Sequence, residues 1–306
     1  MIAVVGSFDG FHLGHRKLFE AAENLSRVMS DSWCVVTFFP HPQLVLGNKT
    51  FLPLFTEPEK DILGKCLGIP EIVRLDFSKD LAGMEPDDFL GFLEDRLFIR
   101  GLVVGEDFRF GRGRRGGAEL LKELASRRGW EVEIVPHLAA PSGRKIGSSF
   151  IRESVIRGDL PQASADLGHP FMIRGLIVRG DGRGRTIGFP TINLSLPGMK
   201  VLPARGVYAG GVAFGKDALP AAVNIGLNPT FPGGEGIRCE AYIPGFRGEL
   251  YGREVSLFLF RRLRREKAFP AVSLLVEQMK IDVKDTLAQW QGTCEGTKRF
   301  MACCGL

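Results

Sequence analysis

The chain has 306 residues and a mass of 33.6 kDa, with 44% hydrophobic and 25% charged residues, which suggests two ordinary domains. This balance excludes a disordered or collagen-like chain, and the length allows a core that needs no disulfide or metal staple. No stretch reaches the roughly 18 to 20 uninterrupted apolar residues of a membrane helix, and the opening MIAVVGSFDG has neither a basic leader nor a small-residue cleavage site. Cys34, Cys66, Cys239, Cys294, Cys303 and Cys304 form no CxxC pair and are expected to be free thiols in a reducing, cytoplasmic compartment. Net charge is +5, with 21 Lys/Arg against 23 Asp/Glu in residues 1–165 and 19 against 12 in residues 166–306. A modestly basic second half suits an anion such as a nucleotide, but it is far from a nucleic-acid-binding arm.

In chain order, short β-branched runs at 2–5, 34–38, 71–75, 102–104 and 131–135 alternate with helical patterns. Leu18, Ala22, Leu25 and Met29 recur at helical spacing after the first run. Thr56 followed three residues later by Glu59, with Pro58 in the first turn, reads as a capping box opening a helix to Leu67. Further helices are predicted over 86–96 and 118–128. Alternating strands and helices imply an α/β Rossmann-like domain whose parallel sheet is covered on both faces and binds ligands at its carboxyl ends.

A helical stretch over 150–167 joins this to a second pattern, with strand-like runs at 171–178, 206–214, 221–225, 238–243 and 254–260 between Gly/Pro turns. A long amphipathic helix follows at 271–290. This predicts a small antiparallel β-barrel with one packed helix. The expected domains are 1–158 and 159–290, with 291–306 a disordered tail.

Two segments carry chemistry. The first, GSFDGFHLGH, follows strand one, where Gly6 and Gly10 allow a tight turn and a helix begins near Leu13. His12 and His15, three apart, share the first helical turn, and Gly14 between them leaves the backbone open to a ligand. A helix N-terminus suits phosphate, and two imidazoles there can donate to charge developing on a phosphoryl group. The bland alternative is an N-capping His12 with a surface or core His15. The HxGH pattern resembles the nucleotidyltransferases that attack the α-phosphate of a nucleoside triphosphate.

The second segment, GDGRGRTIGFPTIN, is glycine-rich and basic but lacks the GK[ST] of a Walker A loop. Thr191 and Asn193 alternate by two, so on a strand they share a face and offer two hard oxygens for Mg2+ on a nucleotide. A plain glycine-rich hairpin with exposed arginines is the competing reading.

Taken with NIGLNPTF (224–231) and GELYGREV (248–255), this segment resembles riboflavin kinase. With TFFPHP (37–42), GEDFRFG (105–111) and IGSSFIR (146–152) in the first half, the whole chain resembles the bifunctional prokaryotic riboflavin kinase/FAD synthetases. The resemblance implies a kinase that makes FMN from riboflavin and MgATP, and an adenylyltransferase that makes FAD from FMN. It implies Glu240 as catalytic base of the kinase, with Gly180, Gly182, Gly184 and Thr191 at the nucleotide, Thr191 and Asn193 on the metal, and Asn224 at the flavin. In the first half it implies His12 and His15 as catalytic groups, and Gly6, Ser7, Phe8, Asp9, Gly14, Ser148, Ser149 and Arg152 at the nucleotide. His41, Asp107 and Arg109 would bind the flavin. Spacing alone does not select Glu240 over Glu249 or Glu254.

The chain departs from the family's usual residues at Ser7, Phe39, Gly147 and Ser149, where Asn, Glu, Ser and Thr are the rule; all four lie in the adenylyltransferase half. A kinase with an inefficient adenylyltransferase half, or a flavin- or nucleotide-sensing protein without turnover, are the alternatives. The expected partners are ATP, riboflavin and FMN, with Mg2+, no nucleic acid, no membrane, and a monomer or weak homo-oligomer. Three other signals carry no site: the arginine-crowded GxGxxG at Gly111, Gly113 and Gly116, the basic run 261–267, and the helix-starting pair Asp87–Asp88.

Overall fold

The computed structural model describes residues 1–196, 198–228 and 236–306, with only the backbone of 227, 228 and 236. In chain order the first part runs β1 (Ile2–Val5), α1 (Leu13–Met29), β2 (Trp33–Phe39), α2 (Pro42–Val45), α3 (Glu57–Cys66), β3 (Ile72–Asp76), α4 (Lys79–Gly83), α5 (Pro86–Glu94), β4 (Gly101–Gly105), α6 (Ala118–Arg127), β5 (Glu131–Val135) and α7 (Ser148–Arg157). The remainder is α8 (Leu160–Leu167), β6 (Phe171–Val178), α9 (Arg183–Thr186), β7 (Thr191–Ser195), β8 (Gly206–Phe214), β9 (Asp217–Asn228), β10 (Gly236–Tyr242), β11 (Glu254–Arg264), α10 (Val272–Gln291) and α11 (Glu295–Cys303).

The chain forms two compact units. The first comprises Met1–Pro53 and Leu63–Ser148, the second Leu54–Ile62 and Ser149–Leu306. In the first, five parallel strands run in the order β3-β2-β1-β4-β5. Apolar runs such as IAVV in β1 and LVV in β4 are buried on both faces, as a helix-covered parallel sheet requires. Ala3, Val5, Val36, Leu102 and Val104 pack with Phe89, Leu93 and Leu121 from the flanking helices. The chain leaves β1 toward β2 on one side and returns to β4 on the other, so the carboxyl ends of β1 and β4 form the switch point where an open α/β sheet has its crevice.

In the second unit six antiparallel strands close into a barrel, ordered β10-β7-β6-β11-β8-β9. Closure removes the sheet edges. The helices α10 and α11 lie against β8 and β9. On β10, Cys239 and Ala241 point into the core while Arg238, Glu240 and Tyr242 face outward, the period of two that a one-sided strand demands.

The expectations for the tail and for the cysteines are corrected. The predicted disordered tail contains the helix α11, with Met301 and Cys304 fully buried: its polar residues lie on one side and Phe300, Met301 and Cys304 on the other. The helical stretch expected over 150–167 consists of α7 and α8, interrupted at Gly158, which has φ 78°, with Asp159 capping the second. The predicted domain boundary also differs from the compact units, because Ser149 onward and the early segment Leu54–Ile62 both belong with the barrel. Not all six cysteines are free thiols: Cys34, Cys239, Cys294 and Cys304 are, whereas Cys66 and Cys303 are not.

The segment Leu54–Ile62 joins the barrel unit through a buried ion pair. The expected capping contact is made, Thr56 N donating to Glu59 Oε2 at 2.8 Å, but the Thr56 hydroxyl has no partner among the described residues. Glu59 instead receives Lys200 Nζ on both oxygens at 2.8 and 2.7 Å and Arg174 N on Oε1 at 2.8 Å. Lys200 also donates to Met172 O at 2.9 Å and lies 4.9 and 4.8 Å from the ring centroids of Phe55 and Phe171. A pair this buried stabilises only while both charges are present. Lys200→Ala is expected to destabilise the barrel unit by about 3–5 kcal/mol in urea unfolding, and Glu59→Leu combined with Lys200→Met by clearly less.

Candidate functional site

At the switch point of the first unit, Gly6 N donates to Val36 O at 3.1 Å and extends the ladder by one residue past β1. The loop then turns sharply. Phe8 and Phe11 both have φ 43°, a left-handed conformation costly for an aromatic residue, and both rings are buried against Phe19. Aromatic burial thus holds a strained loop in place. The glycines serve the same packing. A Cβ on Gly6 would lie 2.9 Å from the Phe8 ring, and one on Gly14 3.1 Å from the His12 ring. Gly14 therefore makes room for an imidazole, and Phe8, expected at the nucleotide, has its side chain in the core.

His12 is the N-cap of α1, its Nδ1 accepting from His15 N at 3.3 Å. The capping reading and the site reading are therefore the same arrangement. With Nδ1 an acceptor, the ring proton sits on Nε2, which becomes a directed donor. The two imidazoles stack, centroids 3.5 Å apart, and Phe8 meets His15 edge-on. Burial, reinforced by the Lys145 charge, lowers the His12 pKa to about 4, so the ring is neutral at pH 7.

Around this turn Asp9 is buried, Ser148 Oγ donates to Asp9 O at 2.6 Å, and Thr37 Oγ1 donates to Ser7 O at 3.1 Å. Ser148 and Ser7 thus tie loops together. Ser149 and Arg152 follow on α7, in the second unit. A side chain at Gly147 would meet nothing within 4 Å. After β4, Asp107 pairs with Lys145, which holds its carboxyl below the usual range, and Arg109 Nη1 donates to Phe108 O at 2.9 Å. After β2, His41 caps α2 and stacks on Phe51 at 4.2 Å, while Phe39 is 48% exposed. The three flavin residues expected in this unit lie on loops after strands, at the carboxyl ends.

Arg16 was missed by sequence reasoning. Its Nε and Nη2 are buried with no partner among the described residues, and burial lowers its pKa. A cation in the first turn of a helix works against the macrodipole, and that was the legible signal. Such donors suit an anion.

In the second unit the register gathers the expected residues. Glu240 on β10 lies directly opposite Asn193 on β7 and Asn224 on β9, and Thr191 lies opposite Tyr242. Directly paired residues project to one side, so Asn193, Glu240 and Asn224 form a row on the outer face. The glycine-rich loop lies over its end. A Cβ on Gly180 would collide with the Asn193 amide, and one on Gly184 with Phe189 O, with Thr191 Oγ1 at 3.4 Å. Gly182 has φ 70°, and the Phe189 ring meets Tyr242 edge-on at 5.1 Å. Glu240 is the carboxylate of the row, whereas Glu254 at the start of β11 pairs with Arg174 at 3.0 Å. Register thus separates Glu240 from Glu254, which spacing did not. Pro229, Thr230 and Phe231 of the NIGLNPTF motif lie outside the described residues. Among the described residues no cluster of three His, Cys, Asp or Glu could hold a metal. The Thr191–Asn193 oxygens fit an ion that arrives largely ligated by phosphate.

A switch-point site with a histidine-capped helix, followed by a barrel carrying a glycine loop and a carboxylate row, defines a two-unit nucleotide-using transferase. Residues 1–150 match the family model FAD synthetase and residues 167–290 the model riboflavin kinase. The bifunctional riboflavin kinase/FMN adenylyltransferase of Listeria monocytogenes is 33% identical, over 94% of this chain and 91% of its own. That of Escherichia coli is 34% identical, over 92% and 90%. The chain belongs to the bifunctional riboflavin kinase/FMN adenylyltransferase family. A crystal structure described as a macrolide-efflux protein from Streptococcus pneumoniae is 34% identical with TM-score 0.85, covering 94% of this chain and 93% of that one. Among the described residues no helix of the present chain is long and apolar enough to cross a membrane.

The His12 environment has a measurable consequence. The folded pKa of about 4 lies below the ordinary 6.5, so the unfolded chain takes up this proton first as pH falls. The burial of neutral His12 contributes fully above pH 6.5, and that contribution is lost between pH 6.5 and 4. NMR titration of the ring should give a midpoint near 4, and a midpoint near 6.5 would contradict the burial.

Proposed function

We propose that the barrel unit phosphorylates riboflavin to FMN and that the parallel-sheet unit adenylylates FMN to FAD. The row Asn193–Glu240–Asn224 beneath the glycine-rich loop supports the first reaction most directly. The ribityl 5′-hydroxyl oxygen bonds to the γ-phosphorus as the bond to the β,γ-bridging oxygen breaks, ADP leaves, and the hydroxyl proton passes to Glu240. Thr191 and Asn193 would hold Mg2+, which neutralises charge on the transferring phosphates. Gly180, Gly182 and Gly184 let the loop lie close to the phosphates, and Asn224 orients the flavin.

In the first unit an FMN phosphate oxygen attacks the α-phosphorus of a second ATP and pyrophosphate leaves. The N-terminus of α1, the Nε2–H of His12 and His15 donate to the charge on the phosphates. Asp9 and Ser148 complete the nucleotide site, and His41, Asp107 and Arg109 the flavin site. Consumption of ATP in both reactions supports a cytoplasmic location.

The test is chromatographic product analysis with Mg2+ and ATP, given riboflavin or FMN. The parent protein should yield FMN and then FAD from riboflavin, and FAD from FMN. Glu240→Gln should lower FMN formation by about 10²–10⁴-fold and leave FAD formation from FMN intact. His15→Ala should do the reverse, by about 10²–10³-fold. FMN without FAD from the parent protein would mean that Ser7 and Phe39 have disabled the first unit. Loss of both reactions in either folded variant would overturn the division of labour.

A further inference from the structure

Glu240 is not alone on its face of β10. Arg238, two residues earlier, points to the same side, and its Nη2 donates to Glu240 Oε1 at 2.6 Å. The other arm of the guanidinium reaches elsewhere: Nη1 lies 3.6 Å from Asp181 Oδ2, in the glycine-rich loop between Gly180 and Gly182. Asp181 Oδ2 is in turn 3.6 Å from Arg183 Nη2. One planar cation therefore spans two segments far apart in sequence, the strand bearing the carboxylate and the loop lying over Asn193. Opposite Arg238 on β9 stands Gly226, whose missing side chain leaves room for the Glu266 carboxylate.

The plain alternative is a solvated surface ion pair, of little consequence to anything. Three features speak against it. The Arg238 and Glu240 side chains are only 25% and 18% exposed. The fork engages two acids on different elements, a geometry that a lysine ammonium cannot reproduce. Its contact also falls on one oxygen of the carboxylate, Oε1, so the fork does not occupy Oε2.

We propose that Arg238 is a positioning residue of the kinase site, locking the glycine-rich loop and the Glu240 carboxylate into one arrangement. Nucleotide capture by the loop and orientation of the acceptor hydroxyl are thereby linked. The proposal rests on the kinase reading above. Arg238 stays protonated throughout; the proton lost by the hydroxyl goes to Glu240, and no bond to Arg238 forms or breaks.

The experiment uses the full chain, with FAD formation from FMN as the internal check that each variant is folded. Arg238→Ala should lower kcat for FMN formation about tenfold and raise KM for ATP several-fold. Calorimetry with a non-hydrolysable ATP analogue and Mg2+ should show a matching several-fold loss of affinity. Arg238→Lys, with one donor centre, should recover kcat but not KM. Asp181→Asn should raise KM for ATP alone, yet add nothing in the Arg238→Ala background. Unchanged kcat and analogue affinity in Arg238→Ala would overturn the proposal. So would additive effects of Arg238→Ala and Asp181→Asn on KM, or an equal slowing by Arg238→Ala when Glu240 is already Gln. Full FMN formation by Glu240→Gln alone would instead sink the kinase assignment on which the proposal stands.

Discussion

A strand can carry chemistry only where something is left uncovered, and this constraint fixes both sites. In the parallel sheet β1 and β4 are buried on both faces, so no side chain within them can meet a substrate. Reactive groups are confined to the strand ends, where Gly6–His15 follows β1 and Asp107–Arg109 follows β4. In the barrel one face of each strand is core, and β10 keeps an outer face bearing Arg238, Glu240 and Tyr242. There the site lies along the strand, with neighbours set by register rather than by loop length. Two architectures thus lead the same chemical class, phosphate transfer, to two different kinds of surface.

The strand-end site must be built from loop, and a loop needs an anchor. Its anchor is aromatic. Phe8 and Phe11, in left-handed conformations worth about 1–3 kcal/mol each in strain, are held by burial against Phe19. Gly6 and Gly14 supply the space that these rings and His12 occupy. The loop is therefore set before any ligand arrives, with His12 fixed by its cap. The barrel site has less need of such strain, because a ladder already places Asn193, Glu240 and Asn224 side by side.

The legible parts of the sequence were those where one local rule acts alone. The runs at β1, β5, β6 and β8 stop where turn residues stop them, and their predicted bounds equal the observed ones. β7 was harder, since its five residues follow a glycine-rich loop and Pro190, and only the Thr191–Asn193 alternation hinted at it. α11 looked like a frayed tail because its burial depends on Arg174 and Ser256, both of which donate to Cys304 O. Glu59 was read as a helix-capping residue and its spacing supports that. Its buried ion pair with Lys200 is 141 residues away in sequence, and no local pattern could announce it. Of the site residues, the HxGH turn and the PTIN strand were visible as motifs. Arg16 and Arg238 were not, because each is defined by what its guanidinium meets or fails to meet.

The two sites also divide their electrostatics differently. At the strand ends, burial keeps His12 neutral, so the ring presents a directed N–H dipole at the N-terminus of α1. Close by in the same turn Arg16 keeps Nε and Nη2 buried and without a partner among the described residues, and desolvation lowers its pKa. On the barrel face the charges are already paired: Arg238 holds Glu240 and reaches Asp181, so the resting surface carries compensating ions rather than orphaned donors. A site of that kind gains little from anion binding alone, and its selectivity must come from geometry. Phosphoryl transfer to a neutral alcohol makes a demand of that kind, since the reacting groups must be held at fixed places.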